Sequence, residues 1–231
     1  MRHYLTFAGR PTTDFEAYIS GAGTFDAPER DMTSIVIPGR NGELTLDNGR
    51  FKNIKVKYPA FIAKNFKGNS EAIRNWFLSF SGYQRLEDTY HPEEFRKARY
   101  SGGFSSGSTK GMHAGSFELL FDCMPQRWLK EGEKAISLSS VGYIINPTMM
   151  EAKPLLYVVG TGTVTIGDIR IGVTSSPMYI DCELQEAYNT QGVSRNSYLT
   201  LTDGVFPVLK PGENRISPTS SITITPRWWR L

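Results

Sequence analysis

Short alternating runs of β-branched and other apolar residues, separated by glycine-rich turns, fill the second half of this chain. The runs fall at nearly even spacing, and no helical periodicity of useful length follows Phe80. Strands that recur in this way are typical of a β-sandwich. The predicted strands are 155–159, 162–166, 169–173, 178–182, 197–201 and 222–225.

The first half combines predicted strands with one predicted helix. The strands are predicted at 4–7, 14–19, 34–37, 43–46, 51–58, 95–100 and 117–123. An apolar helix face at i, i+3, i+4 and i+7 is formed by Ile73, Trp76, Phe77 and Phe80. Asn69 or Ser70 is the predicted N-cap, and Gly82 the predicted stop.

These patterns predict a mainly β protein of two domains. The character of the sequence changes over residues 132–146, so we place a boundary at 131/132. Residues 1–131 are predicted to form a β-rich domain with one helix, and residues 132–231 a β-sandwich. A length of 231 residues and a hydrophobic fraction of 39% suffice for packed cores.

The charge and the composition argue against several classes of protein. The 26 basic and 23 acidic residues give a net charge of +3, without the basic stripe that a nucleic-acid binder usually carries. We find neither a signal peptide nor an apolar stretch long enough to span a membrane. Cys123 and Cys182 lie in strand-like runs, so we expect buried, reduced thiols and synthesis in a reducing cytoplasm.

No catalytic or metal-binding motif stands out. The three histidines, His3, His91 and His113, lack metal-ligand spacing, and the cysteines form no CxxC pair. The acidic pairs 87–88 and 93–94 could act as glycosidase carboxylates, but they share their segment with several arginines, which favours surface acids. We therefore predict no metal, no cofactor and no enzymatic activity.

The segment 35–53 contains three turn signals: Pro38-Gly39, Asn41-Gly42 and Asn48-Gly49. Three readings are open: an ordinary hairpin, a phosphate-binding loop, or a surface that meets another protein. The run 39–42 fits neither the Walker loop nor GxGxxG, and no strand–loop–helix unit surrounds it, so phosphate binding is set aside.

Two tryptophans near the end of the chain could serve in binding. Trp228 and Trp229 could stack on sugars or anchor a subunit contact. In an alternating strand they point to opposite faces, so at most one belongs to the same core.

Taken in order, the motifs resemble the distal tail (Dit) protein family of long-tailed phages with non-contractile tails. In the first half they are IPGRNGEL at 37–44, DNGRFKN at 47–53, GYQRLED at 82–88, Tyr90-His91-Pro92, the Arg96-x-Ala98 pattern with Arg99, and CMPQ at 123–126. In the second half they are Asn146-Pro147-Thr148, Lys153-Pro154-Leu155, YIDCE at 179–183, FPVL at 206–209, Gly212-Glu213-Asn214 and PRW at 226–228.

This resemblance implies a structural protein of the virion, located at the phage tail tip and made in the cytoplasm of the host bacterium. The N-terminal domain would form a homohexameric ring that joins the tail tube protein to the tail-tip, lysin-like protein, with a channel through which DNA passes without specific binding. The C-terminal domain would be galectin-like and a platform for receptor-binding proteins. The chain is short for the family and leaves no room for an inserted carbohydrate-binding domain.

With this resemblance, 35–53 is interpreted as an assembly element. We hypothesise that Arg40 or Arg50 lies at or near a subunit contact, together with Asn41, Gly42 and Phe51. A module that binds the host cell wall through Trp228 or Trp229 is the alternative function. The HxNPR and WxxE patterns of sugar-binding galectins are missing, which counts against it.

Overall fold

The computed structural model describes residues 2–21, 23, 26–102, 106–108 and 113–231. Among them lie one α-helix, α1 (Phe66–Leu78), and many short strands, which confirms a mainly β fold with one helix. The strands are β1 (Leu5–Phe7), β2 (Arg10–Pro11), β3 (Ala17–Ile19), β4 (Arg30–Val36), β5 (Glu43–Phe51), β6 (Ile54–Ile62), β7 (Gln84–Asp88), β8 (Glu94–Tyr100), β9 (Ser106–Ser108), β10 (Gly115–Cys123), β11 (Arg127–Leu129), β12 (Ile136–Leu138), β13 (Gly142–Asn146), β14 (Leu155–Val159), β15 (Gly162–Ile166), β16 (Ile169–Val173), β17 (Met178–Asp181), β18 (Glu186–Tyr188), β19 (Leu199–Leu201), β20 (Gly212–Pro218), β21 (Ser221–Thr225) and β22 (Trp229–Arg230).

The chain divides into two compact units, Met1–Arg127 with Leu231, and Trp128–Arg230. The N-terminal unit is built on an antiparallel sheet whose strands run in the order β2-β1-β7-β8-β10-β6-β3. Its longest pairing joins β10 to β6, from Gly115 opposite Ile62 to Cys123 opposite Ile54. Along β6 buried and exposed residues alternate, so one face of the strand belongs to the core.

Aromatic rings from the helix and the sheet meet in the core of the N-terminal unit. The ring of Phe77 on α1 lies 5.5 Å from that of Phe7 on β1 and 5.6 Å from that of Phe121 on β10, measured between centroids. All three side chains are fully buried. Pairs at this separation gain about 0.5–1.5 kcal/mol beyond the burial of their area.

The helix begins and ends about four residues earlier than the sequence predicted. Its N-cap is Asn65, whereas Asn69 and Ser70 lie inside the helix and bond to the carbonyl oxygens of Lys64 and Lys67. Glycine has a low helix propensity, so Gly68 gave no sign in the sequence that the first turn of the helix lies there. Phe66 is buried there, at 6% exposure, and fixes that turn to the core.

The C-terminal end of the helix differs from the prediction as well. The helix ends at Leu78, before the predicted stop at Gly82. Phe80, assigned to the helix face by its spacing, lies beyond the helix and packs against the same core. Its contact with the core therefore comes from the chain that follows the helix.

The C-terminal unit is a sandwich of two five-stranded antiparallel sheets. One has the strand order β12-β21-β14-β17-β18 and the other β13-β20-β15-β16-β19. A single buried cluster takes residues from both sheets, among them Leu156 and Ile224 of the first and Val164 and Ile216 of the second. The two sheets therefore pack face to face, as the even spacing of the strands predicted.

The two ends of the C-terminal unit are hydrogen-bonded to each other. The amide of Leu129 donates to the carbonyl oxygen of Trp228 at 2.9 Å, and the amide of Arg227 donates to that of Gly132 at 2.7 Å. A Cβ atom added at Gly132 would lie 2.2 Å from the amide nitrogen of Trp228, so only glycine allows this approach.

Cys123 and Cys182 are free and buried, in agreement with the sequence analysis. Burial raises the pKa of each thiol to about 12, because an apolar environment disfavours the thiolate. Within the described ranges, no helix combines the length and the apolar character that crossing a bilayer requires.

Candidate assembly arm

Strands β4 and β5 form a two-stranded sheet of their own, which we call the arm. Ile37–Gly42 joins the two strands, and the amide of Arg40 donates to the carbonyl oxygen of Ile37 at 3.1 Å. Gly39 and Gly42 both have positive φ, as the predicted turns at Pro38-Gly39 and Asn41-Gly42 require. A two-stranded sheet is at best marginally stable in water on its own.

The two faces of the arm differ in polarity. Residues that stand opposite each other on antiparallel strands share a face. One face carries Thr33 opposite Leu46 and Ile35 opposite Leu44, whereas the other carries Met32 opposite Asp47, Ser34 opposite Thr45 and Val36 opposite Glu43. We call the first the apolar face of the arm.

The apolar face is not covered by the described part of the chain. Ile35 is 47% exposed, Leu44 48% and Leu46 59%. Monomeric soluble proteins rarely expose contiguous apolar residues in this way unless the surface binds a partner. The sequence predicted a strand at 43–46 but not this face, because the alternation of Glu43, Leu44, Thr45 and Leu46 marks a face to be buried without showing what buries it.

The turn predicted at Asn48-Gly49 is wrong. Strand β5 continues through both residues to Phe51, beyond the predicted end at 46. Strand β6 begins at Ile54 and ends at Ile62, whereas the prediction was 51–58. The pairing shifts between Arg30 opposite Phe51 and Met32 opposite Asp47, so β5 bulges here. Gly49 supplies a φ of +72°, and its amide donates to Oδ1 of Asp47 at 2.9 Å. The glycine therefore permits a bulge and not a reversal.

Ion pairs join the two strands at the base of the arm. Nη1 of Arg30 donates to Oδ2 of Asp47 at 2.9 Å, and Nε of Arg50 donates to Oδ2 of Asp31 at 2.6 Å. The hydrogen bond from Arg50 lowers the pKa of Asp31, and the one from the Gly49 amide lowers that of Asp47. Exposed pairs of this kind contribute little to stability, so they fix the register of the base more than they stabilise it.

The structure distributes the five predicted assembly residues over both ends of the arm. Arg40, Asn41 and Gly42 lie in the exposed turn at its tip. Arg50 and Phe51 lie at its base, where the guanidinium of Arg30 stands 4.6 Å above the ring of Phe51. They do not form one site, and a role for any of them in assembly stays a prediction.

The two terminal tryptophans have different environments. Trp228 is 4% exposed and belongs to the core of the sandwich. A side chain so buried offers no face to a sugar or to another subunit, so the sugar-stacking and interface hypotheses for Trp228 are wrong. Trp229 is partly buried, and its Nε1 donates to the carbonyl oxygen of Glu151 at 2.9 Å. A binding role for Trp229 stays a prediction.

One member of each acidic pair weighed as catalytic carboxylates is engaged in structural contacts. Asp88 accepts the hydroxyl of Tyr58 at 2.8 Å and the amides of Tyr90 and His91. Glu94, at 4% exposure, pairs with Arg127 at 2.8 Å. Among the described residues no cluster of histidine, cysteine and carboxylate could hold a metal ion.

Comparison with known proteins finds similarity in structure and none in sequence. No protein-family model and no curated protein sequence matches the chain. The crystal structure of the Dit protein (gp 19.1) of phage SPP1, described as a paradigm of the hub adsorption apparatus in phages that infect Gram-positive bacteria, superposes with a TM-score of 0.77 at 13% identity. That match covers 100% of both chains.

A second similar structure comes from the baseplate of phage P2 in its activated conformation with Ca. It has a TM-score of 0.51 at 8% identity and covers 97% of each chain. These neighbours are a phage hub protein and a phage baseplate protein. The resemblance found in the ordered motifs is therefore confirmed as a likeness of fold: along its entire length, this chain has the fold of the SPP1 Dit protein.

Proposed function

We propose that this chain is a structural hub protein of a phage tail, a distal tail protein that assembles into a homohexameric ring. The observation that carries the proposal is the likeness in fold to the SPP1 Dit protein over both full chains. The ring would join the tail tube protein to the tail-tip, lysin-like protein and could hold receptor-binding proteins. Its place would be the virion tail tip, after synthesis in the cytoplasm of the host bacterium.

The arm is the element that we assign to the ring contact. Its apolar face needs a cover, and in a ring each subunit can lay its arm on the next and receive the arm of the one before. Such a head-to-tail contact uses two different surfaces of each copy, and it closes into a ring when the rotation between neighbouring copies divides a full turn evenly. Interfaces of permanent assemblies bury about 2,000 Å² or more, and a projecting hairpin adds both area and backbone groups to such a contact.

The charge of the chain suits a channel for DNA. With 26 basic and 23 acidic residues the net charge is only +3. Strong binding to DNA comes mainly from cationic side chains on the phosphates. A nearly neutral ring would let DNA pass during ejection without holding it.

Light scattering of the purified full-length chain tests the ring. We expect the unaltered protein to form particles built from rings of six chains. Ile35→Lys and Leu44→Lys place a charge on the apolar face of the arm. Both should abolish the six-chain ring while each chain stays folded, because the replaced side chains are about half exposed. A chain that remains monomeric at high concentration contradicts the proposal.

Val36→Lys is the matched control. Val36 follows Ile35 directly, is 71% exposed and points to the other face of the arm. The ring should form with this substitution. If Ile35→Lys leaves the ring intact as well, the apolar face of the arm is not the contact.

The arginines at the two ends of the arm have a separate test. Replacing both Arg40 and Arg50 with alanine should weaken the ring while each chain stays folded, because charge-assisted hydrogen bonds across a subunit contact would be lost. If the ring of the double variant dissociates at the same protein concentration as the unaltered ring, the arginines make no contact between subunits. The role of Arg50 would then be its ion pair with Asp31 within the arm.

A further inference from the structure

The sandwich of the C-terminal unit has one long open edge. Strand β13 (Gly142–Asn146) lies at the end of its sheet and pairs with β20 alone among the described strands. The second side of β13 therefore presents backbone amide and carbonyl groups to which no described strand is paired. Such an edge is a template for another strand.

The other edges of the sandwich are short or covered. Strands β12 and β19 have three residues each. Strand β18 is covered by the chain that follows it, since the amide of Ala187 donates to Oδ1 of Asn196 and the amide of Arg195 to the carbonyl oxygen of Ala187, both at 2.7 Å. Strand β13 thus combines length with an open side in a way that the other three edges do not.

The outward side chains of β13 are apolar and exposed. Tyr143 is 58% exposed and Ile145 69%, whereas Ile144 and Asn146 point into the core. Edge strands are usually protected by a lysine or another charge, a proline or a bulge. The sequence Gly-Tyr-Ile-Ile-Asn has no charge and no proline, and its register with β20 is regular from end to end.

We propose that β13 pairs with β13 of a second copy of this chain, antiparallel and about a two-fold axis at Ile144. In this register Tyr143 of each copy stands opposite Ile145 of the other, which is a favourable aromatic–β-branched pair. The pattern is self-complementary because the two outward residues lie symmetrically about Ile144. Pairing continues the sheet across both copies.

The charges beside β13 fit this arrangement. In β20, Arg215 stands next to Tyr143 and Glu213 next to Ile145. Each row across the paired sheet then runs from Arg215 of one copy, through Tyr143 and the second copy's Ile145, to Glu213 of that copy. No two like charges become neighbours, so the contact lacks the repulsion that normally keeps edges apart.

The exposed apolar residues extend beyond the two ends of β13. Val141 and Met149, on either side of β13, are 51% and 88% exposed. Tyr143 and Ile145 lie between them in the chain, so large apolar side chains are exposed along the edge and on both sides of it. A specific interface needs about 1,000 Å² in total, and covering this edge on both copies contributes to that area. The contact is distinct from the arm, and its two-fold symmetry would join two chains or two rings.

Cross-linking tests the register directly. Chains with Tyr143→Cys are mixed with chains with Ile145→Cys, because the Cα atoms of facing residues on antiparallel strands lie about 4.5–5.5 Å apart, within the range that a disulfide spans. We expect a cross-linked dimer from the mixture and much less from either variant alone. The native Cys123 and Cys182 do not compete, since they are buried and unreactive. Equal yields in all three samples would overturn the register, and no cross-link would overturn the pairing.

The mass of the particle separates this contact from the ring. In the full-length chain the double substitution Tyr143→Lys with Ile145→Lys should halve the mass measured by light scattering, whereas Ile35→Lys should leave pairs of chains. Val205→Lys, 52% exposed and just beyond β19 at the opposite edge of that sheet, is the control that should leave the mass unchanged. If the lysines on β13 change nothing, the edge is not paired with a second copy, and a strand from another protein becomes the remaining occupant.

Discussion

Strands β5 and β6 have nine residues each, follow each other in the chain and begin with alternating polar and apolar residues, but only one of them is buried. In β6 every second residue is buried against the N-terminal core. In β5 the residues from Glu43 to Arg50 are all exposed. The alternation shows in both cases which face is to be covered, but only for β6 does the described chain itself provide the cover. The arm therefore has a face that another molecule would have to cover.

Substitutions in the buried core of the N-terminal unit should have the largest effect on the free energy of unfolding. Phe77→Ala removes a fully buried ring that contacts Phe7 and Phe121. We expect a loss of about 3–5 kcal/mol in the free energy of unfolding, from lost burial and the remaining cavity. Denaturant titration measures it. Leu78→Ala, at the next position of the same helix and 63% exposed, should change the value by less than about 0.5 kcal/mol. Equal losses would mean that the helix is placed by something other than its buried face.

A buried ion pair in the sandwich contrasts with the exposed pairs of the arm. Arg227 donates two hydrogen bonds of 2.8 Å to Asp181, whose side chain is 4% exposed. Arg227→Met leaves this carboxylate buried, with the amides of Glu183 and Leu184 as its remaining donors among the described residues. We expect a loss of about 3 kcal/mol, the low end for a broken buried pair, because those two amides remain. The double substitution with Asp181→Leu should recover most of it.

The same pair makes the sandwich sensitive to acid. Burial raises the pKa of Asp181, but the hydrogen bonds from Arg227 and from two amides outweigh burial and hold it below its ordinary value. The resulting stability is present above the unfolded pKa of about 3.8 and is lost as the pH falls through the lower folded pKa. Unfolding curves measured between pH 5 and pH 2 should therefore show that the free energy of unfolding depends less on pH for Arg227→Met than for the unaltered chain.

Gly49→Ala gives the smallest effect on the whole molecule. At a φ of +72° an alanine is strained by about 1–2 kcal/mol. The strain falls on the arm, so hydrogen exchange of the arm amides should quicken while the global unfolding midpoint stays the same. Gly82→Ala, at a glycine without positive φ and with open space around it, is the control. A shift of the global midpoint for Gly49→Ala would show that the arm unfolds together with the core.

The sequence predicted best what the chain buries by itself. The bounds of β14, β15 and β16 are as predicted, because β-branched runs between glycine turns leave little choice of period. Strands β13 and β20 were not predicted. The sequence of β20, GENRISP, is mostly polar and resembles a loop. Its buried residues are Asn214, Ile216 and Pro218, and one of these is itself polar. A buried asparagine that bonds three backbone carbonyl oxygens has no signature in a periodicity search.

Local rules failed where a side chain changed the meaning of a turn signal. Asn48-Gly49 predicts a reversal, but Asp47 accepts the amide of Gly49, and the backbone passes through a bulge instead. For the candidate site the sequence pointed to the segment 35–53 and to its arginines, and their role in assembly stays a prediction. The apolar face formed by Ile35, Leu44 and Leu46 emerged only from the register, because it combines residues from two strands.

The adjoining ends of the C-terminal unit have a mechanical consequence. Leu129 and Trp228 are paired directly, so a force that separates the two ends acts first on this junction and peels it one hydrogen bond at a time. The strands in the middle of the sheets, such as β14 and β21, would carry no shear until the junction had opened. When the unit is stretched, the hydrogen bonds between its two ends should therefore break at low force, while the two packed sheets stay intact until a higher force is reached.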